Sequence, residues 1–257
     1  THIGMVHHET STGILNPVRK LGIISRRYDC ELIVDAISSL CGDRLDVLEN
    51  NVSWCVGSSN KCIEGIPGIG FVCGRRDLFK GLNPEIASTL YLNLGNYWRA
   101  EEHLAAPPFT PAIQTLYALD KALDLVLEEG VANRILRYAA NADRLRTGMM
   151  ELGYQMRFAD EIQSNTLTAF NLPQGVTYEK LHDQLKEVGF VIYSGQEILK
   201  NSVFRLSTMG QMTEDDIDRF LINMPSKKVA RKIHAKRFRT CQRGLAFLVV
   251  RLCCRLR

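Results

Sequence analysis

The chain has 257 residues, 46% of them hydrophobic and 23% charged, ordinary values for a globular protein with room for a sizeable core. Eleven of the 32 Lys and Arg residues and none of the 28 Asp and Glu residues lie beyond Pro225, so the tail carries +11, the body −7, and the net +4 is a property of the tail alone. The acidic body shows no sign of nucleic-acid binding, and none is expected of it; no apolar run approaches the roughly 18 residues of a membrane helix. The N-terminus shows neither a basic nor an apolar leader segment, which leaves a cytoplasmic protein as the expectation.

In chain order, residues 1–6 have the pattern of a strand. Val6-His7-His8-Glu9-Thr10-Ser11-Thr12-Gly13-Ile14-Leu15-Asn16-Pro17 then runs through a hydroxyl-rich turn into a Pro-led helix ending near Tyr28, with Val18, Leu21 and Ile24 at helical period. A short buried strand spans Cys30 to Val34, a second ends near Ser58, and a third covers about Phe71 to Gly74. Pro111 opens a helix to about Glu129, and after Gly130 another runs from Val131 to about Gly153. Beyond it, residues 166–170 alternate like a strand, Tyr178 to Val188 is an amphipathic helix, and residues 190–193 and 203–207 read as strands. Thr213 then caps a final helix with an acidic first turn. Strands interleaved with helices predict an α/β fold with a mostly parallel sheet, followed by a smaller α+β domain, with ligands beyond the carboxyl ends of the strands.

Two residue types stand out at those strand ends. Asp35 closes the run Glu31-Leu32-Ile33-Val34-Asp35, and Lys61 follows Ser58-Ser59-Asn60 ahead of the glycine-rich Gly65-Ile66-Pro67-Gly68-Ile69-Gly70. An amine and a carboxylate are what a protein needs to hold pyridoxal phosphate: the amine reacts with the aldehyde, and the carboxylate keeps the pyridine nitrogen protonated. As residue types alone, Lys61 equally describes a surface lysine and Asp35 a helix-cap aspartate. The eight cysteines form no C-x-x-C pair and several lie in apolar runs, so they are expected to be buried reduced thiols. The six histidines have no zinc-ligand spacing, and His8 beside Glu9 has no nearby nucleophile, so no metal site or catalytic dyad is expected.

The order His8-Glu9-Thr10-Ser11-Thr12-Gly13-Ile14-Leu15-Asn16-Pro17, then Val34-Asp35-Ala36-Ile37-Ser38-Ser39, then Ser58-Ser59-Asn60-Lys61-Cys62-Ile63-Glu64-Gly65-Ile66-Pro67-Gly68 resembles the 2-aminoethylphosphonate:pyruvate transaminases. These are fold-type I, class V aminotransferases related to the alanine:glyoxylate and serine:pyruvate enzymes. The likeness runs with gaps to about residue 224 and includes residues 189–193 and Phe204-Arg205-Leu206. The resemblance implies a pyridoxal 5'-phosphate enzyme, homodimeric, acting on an amine and a 2-oxo acid. It gives Lys61 the covalent hold on the cofactor and the proton transfer, Asp35 the pyridine nitrogen, and Thr12 the ring region. Thr110 would reach the cofactor phosphate of the neighbouring subunit, and Arg205 the acidic group of the substrate. Thr10 and Ser11 equally suit a turn bonded to its own backbone and Arg205 a surface ion pair, while the stretch Ala105-Ala106-Pro107-Pro108-Phe109-Thr110-Pro111 lacks the basic residue usual before Phe-Thr.

The resemblance divides the chain into the C-terminal part of the cofactor-binding large domain (residues 1–125), a small domain (126–225) and a disordered basic tail (226–257). Set against the family, about the first third is missing, including the turn that cradles the cofactor phosphate. The expectation is an N-terminally truncated chain with weak cofactor binding and an exposed sheet edge. A catalytically inactive fragment or interaction module, with the tail as its working part, is the alternative to an active aminotransferase.

Overall fold

The computed structural model describes residues 1–104 and 106–225; the tail and its predicted disorder lie outside the described residues. In chain order the elements are β1 (His2–Val6), β2 (His8–Glu9), β3 (Ile14–Leu15), α1 (Val18–Arg27), β4 (Glu31–Asp35), β5 (Trp54–Ser58), β6 (Gly70–Gly74), α2 (Arg76–Lys80), α3 (Leu94–Leu104), α4 (Ile113–Glu129), α5 (Val131–Glu151), β7 (Leu167–Asn171), α6 (Tyr178–Glu187), β8 (Tyr193–Ser194), β9 (Val203–Ser207) and α7 (Glu214–Asn223). They form two compact units: one of Thr1–Glu9 with Leu15–Arg137, the other of Thr10–Ile14 with Tyr138 onward, so the chain passes between them within α5.

The first unit is built on a four-stranded sheet in the order β1-β4-β5-β6. β1, β4 and β5 run parallel, and β6 returns antiparallel to β5. β4 explains the burial: Leu32 and Val34 on one face are fully buried and pack with Val18, Ala36, Val52 and Cys55, while Ile33 and Asp35 alternate to the other face. α1 lies close to the chain at Asn50, where a Cβ on Gly22 would collide with the Asn50 carbonyl, so only glycine fits. On α4, Ala122 and Val126 bury against Ile63.

Two short helices, α2 and α3, were not evident in the sequence. They hold an aromatic stack in which Phe79 lies 5.3 Å from Trp98 and meets Trp54 edge-on at 4.8 Å. The five described cysteines are free, but only Cys55 and Cys62 of them are buried. Cys73 is exposed, because β6 is the outer strand of the sheet, and Cys30 and Cys41 are half-buried.

The second unit has the antiparallel order β7-β9-β8. Its core joins Leu145 and Met149 of α5, Leu181 and Leu185 of α6, Ile217 and Phe220 of α7, and Phe170 and Phe204 of the sheet. The strand expected at residues 190–193 is observed only at Tyr193–Ser194. Gly189, at φ 89°, ends α6, and the Phe190 amide donates to Leu185 O, a helix-closing bond that removes it from strand pairing. α7 starts on a capping box, Thr213 Oγ1 accepting from the Asp216 amide while Asp216 Oδ2 accepts from the Thr213 amide. Thr213→Ala is expected to cost about 1 kcal/mol in urea unfolding, with Thr213→Asn close to the parent.

Candidate active site

Parallel strands place their carboxyl ends on one edge, where backbone and side-chain groups after each strand converge. In the first unit that edge is made by residues following β1, β4 and β5. Val6 pairs with Asp35 and Asp35 with Val56, so the Asp35 carboxylate sits between the neighbouring strands. Its Oδ1 accepts the Ile37 amide at 2.9 Å, which fixes the carboxylate, and among the described residues no donor takes Oδ2. Asp35 caps the turn at residues 37–42, where no helix follows, rather than a helix, and this leaves one oxygen for a ligand donor.

Lys61 lies three residues past β5 in a turn that closes on itself. Ser59 anchors both ends: its amide donates to Ile69 O, its carbonyl accepts from the Gly65 amide at 2.8 Å, and its hydroxyl donates to Ile66 O at 2.6 Å. A Cβ on Gly65 would lie 2.9 Å from Ser59 O, so the closure requires glycine there. Within the turn, Glu64 adopts φ 66° and its amide donates to Lys61 O.

Two buried histidines pack under this edge. His7 Nδ1 lies 2.9 Å from Ser39 Oγ and His8 Nδ1 3.0 Å from Ser38 O, with the Cys62 thiol donating to the same carbonyl at 3.5 Å. Burial lowers the His8 pKa and the nearby Lys61 ammonium pushes the same way, against the Ser38 carbonyl, Asp43 and Glu9. Burial raises the Cys62 thiol far above its ordinary range and Cys55 to about 11, so both are unreactive thiols.

His7 is pushed down to about 4, by burial first and then by His8. The unfolded chain binds a proton at this residue below about 6.5, the folded chain only below about 4. The resulting stability is complete above pH 6.5 and is lost as pH falls toward 4, a change of about 3 kcal/mol. Urea unfolding at pH 7 and 4.5 is expected to show this loss, and His7→Asn to reduce it by most of that amount.

The other sequence-predicted residues lie elsewhere. Arg205 and Thr12 belong to the second unit. Arg205, on β9, donates from Nε to Ser194 O at 2.9 Å and from Nη1 to Thr10 O at 2.6 Å, so backbone carbonyls help orient its guanidinium. Thr12 Oγ1 accepts the Ile14 amide at 3.3 Å, and the turn is tightened by Gly13 at φ 82°, whose Cβ would meet Leu167 O at 2.6 Å. Thr110 is exposed in the loop between α3 and α4. The sequence reading missed Arg134 of α5, which bonds the lysine turn, and Glu129 at the end of α4, which orients it; nothing local marks an arginine 72 positions from Cys62 as its partner. Among the described residues no three His, Cys, Asp or Glu are grouped to hold a metal ion, and no helix is long and apolar enough to cross a membrane.

A fixed carboxylate and an amine in a closed turn, both at the carboxyl edge of a largely parallel sheet, make that edge the candidate ligand site of an α/β protein. The sequence profile of the aminotransferase class-V family matches residues 2–220, and the chain belongs to that family. It is 38% identical over 225 residues to a 2-aminoethylphosphonate–pyruvate transaminase of Klebsiella pneumoniae and 37% identical over 224 residues to one of Phocaeicola vulgatus. Each match covers 86% of this chain, which spans 61% of the length of these relatives. Among solved structures, pyridoxamine-pyruvate aminotransferase from Mesorhizobium loti matches with a TM-score of 0.81 at 27% identity, covering 92% of this chain and 61% of that one. Ureidoglycine-glyoxylate aminotransferase from Bacillus subtilis matches at 0.77 and 26%, covering 90% and 60%.

Proposed function

We propose that this chain is the pyridoxal-phosphate-binding part of an aminotransferase that moves the amino group of 2-aminoethylphosphonate to pyruvate, giving phosphonoacetaldehyde and alanine. The observation that carries the reading is the placement of Lys61, in a self-closed turn, beyond the strand paired in register with Asp35. The likeness to relatives bearing that activity in their names supports the choice of substrate. The donor set fits the cofactor: a primary amine, a carboxylate with one oxygen uncommitted, and a sheet edge where ligands gather.

When bound, pyridoxal phosphate supplies an aldehyde and a ring that accepts electrons. Lys61 Nζ would hold the cofactor and serve as the acid–base group of proton transfer. The carboxylate of Asp35 would keep the pyridine nitrogen protonated. Thr12 lines the ring region, Thr110 reaches the phosphate held by a second copy in a homodimer, and Arg205 presents a planar cation to the substrate's acidic group. Residues 1–125 serve as the cofactor-binding portion and 126–225 as the small domain, in a cytoplasmic enzyme.

The test is an absorption titration of the purified chain with pyridoxal phosphate, beside Lys61→Ala. A visible band that requires Lys61 and bleaches with 2-aminoethylphosphonate supports the reading. Bleaching by L-alanine or L-serine but not by the phosphonate would move it to an alanine/serine transaminase of the same class. No Lys61-dependent band would sink it for this chain.

A further inference from the structure

Arg134 is a long, charged side chain in the first turns of α5, yet it is 1% exposed. A buried guanidinium costs several kcal/mol to desolvate, and a well-packed apolar side chain often serves stability as well or better. Its partners therefore matter. Nε donates to Glu129 Oε2 at 2.7 Å, while Nη1 donates to two backbone carbonyls, Cys62 O at 3.0 Å and Ile63 O at 3.2 Å. These are the two residues directly after Lys61. The next residue is held as well: Glu64 Oε1 accepts from Arg137 Nη2 at 3.0 Å, and Arg137 Nε donates to Glu129 Oε1 at 2.7 Å.

Three consecutive positions after the lysine are thus fixed from one helix through one carboxylate. The charges balance, two arginines against Glu129 and Glu64, and the Arg137 bonds come first among the causes that hold Glu129 below its ordinary carboxylate range. We propose that Arg134 is a positioning residue for Lys61: its guanidinium fork, oriented by Glu129, fixes the backbone that follows the lysine so that the amine is presented from one conformation. The inference rests on the reading of Lys61 as the cofactor lysine. Geometry makes arginine specific here, because a planar fork delivers Nε to a carboxylate and Nη1 to two carbonyls at once, whereas a lysine ammonium cannot span both.

The experiment uses the 257-residue chain, with Arg134→Lys and Glu129→Gln as variants. Amide hydrogen exchange without cofactor is followed at Glu64 and Gly65, whose N–H groups close the turn on Lys61 O and Ser59 O. In both variants these amides are expected to exchange faster, about tenfold for the loss of one hydrogen bond to a charged group, while β4 and β7 keep their protection. Borohydride trapping with pyridoxal phosphate, read by mass spectrometry, is expected to lower labelling of Lys61 relative to exposed Lys121 in the same sample. Unchanged exchange at 64 and 65 in both variants overturns the proposal. If Arg134→Lys loses protection throughout the first unit, Glu129→Gln decides, since it keeps the guanidinium but weakens the carboxylate that orients it: local acceleration supports positioning and none refutes it. Faster exchange in the variants with no trapping at Lys61 in the parent chain would remove the cofactor reading while leaving the anchoring of the turn intact.

Discussion

Lys61→Ala is expected to yield a folded chain in which pyridoxal phosphate produces no visible band and no borohydride-trapped adduct in the peptide containing residue 61. The turn does not depend on the lysine side chain: Ser59 closes it through Ile69, Gly65 and Ile66, and Arg134 holds the carbonyls of Cys62 and Ile63. Removing the amine therefore deletes chemistry and leaves architecture. Lys61→Arg sharpens the test, because it keeps a cation beside His8 but lacks an amine able to condense with an aldehyde. Turnover, measured as alanine formed from pyruvate and 2-aminoethylphosphonate, is expected to fall in both variants by at least the roughly 10²–10⁴-fold that a positioned acid–base group contributes. Unchanged thermal unfolding alongside the lost band would assign the loss to the amine. A band of parent intensity in Lys61→Ala would mean that another lysine captures the aldehyde and that this turn is not the site.

The parts of this site that the sequence made legible are the local ones. β4 announces itself as a short apolar run ending in an acid, and the turn after β5 by its Ser-Ser-Asn lead and glycine exit, because strand periodicity and turn chemistry act over a few residues. β9 appears where residues 203–207 predicted it, a short run in which Val203, Phe204 and Leu206 are buried, as suits the central strand of the second sheet. The remainder depends on distant partners. α3 was invisible because Gly95, Asn96, Tyr97 and Trp98 are poor helix formers, a weak propensity offset by the stack of Trp98 on Phe79, and α2 because its five residues are too few to show a helical period. The extended reading of residues 190–193 missed that Gly189 obliges Phe190 to close a helix. Arg134 reads as an ordinary charged position on a helix, and only the folded chain brings it to the carbonyls of Cys62 and Ile63.

Phe204→Ala is expected to destabilise the second unit by about 3–5 kcal/mol, the cost of truncating a buried phenylalanine. Phe204 is fully buried on β9, the strand that pairs with both β7 and β8. It stacks on Phe170 at 5.7 Å with 24° between planes and meets Tyr154 edge-on at 5.7 Å, so the truncation removes two aromatic contacts as well as area. With typical domains stable by only about 5–15 kcal/mol, this single change consumes a large share of the margin. It also reaches the candidate substrate arginine. Arg205 is the next residue, and its bonds to Ser194 O and Thr10 O hold only while β9 keeps its register. Hydrogen exchange is therefore expected to accelerate in β7 and β9, while β4 stays protected. Phe204→Leu, which leaves the cavity mostly filled, should cost less than about 1.5 kcal/mol. A loss below about 1 kcal/mol in Phe204→Ala would mean that the site collapses around the deletion and that the helices, rather than the aromatic pair, set the position of Arg205.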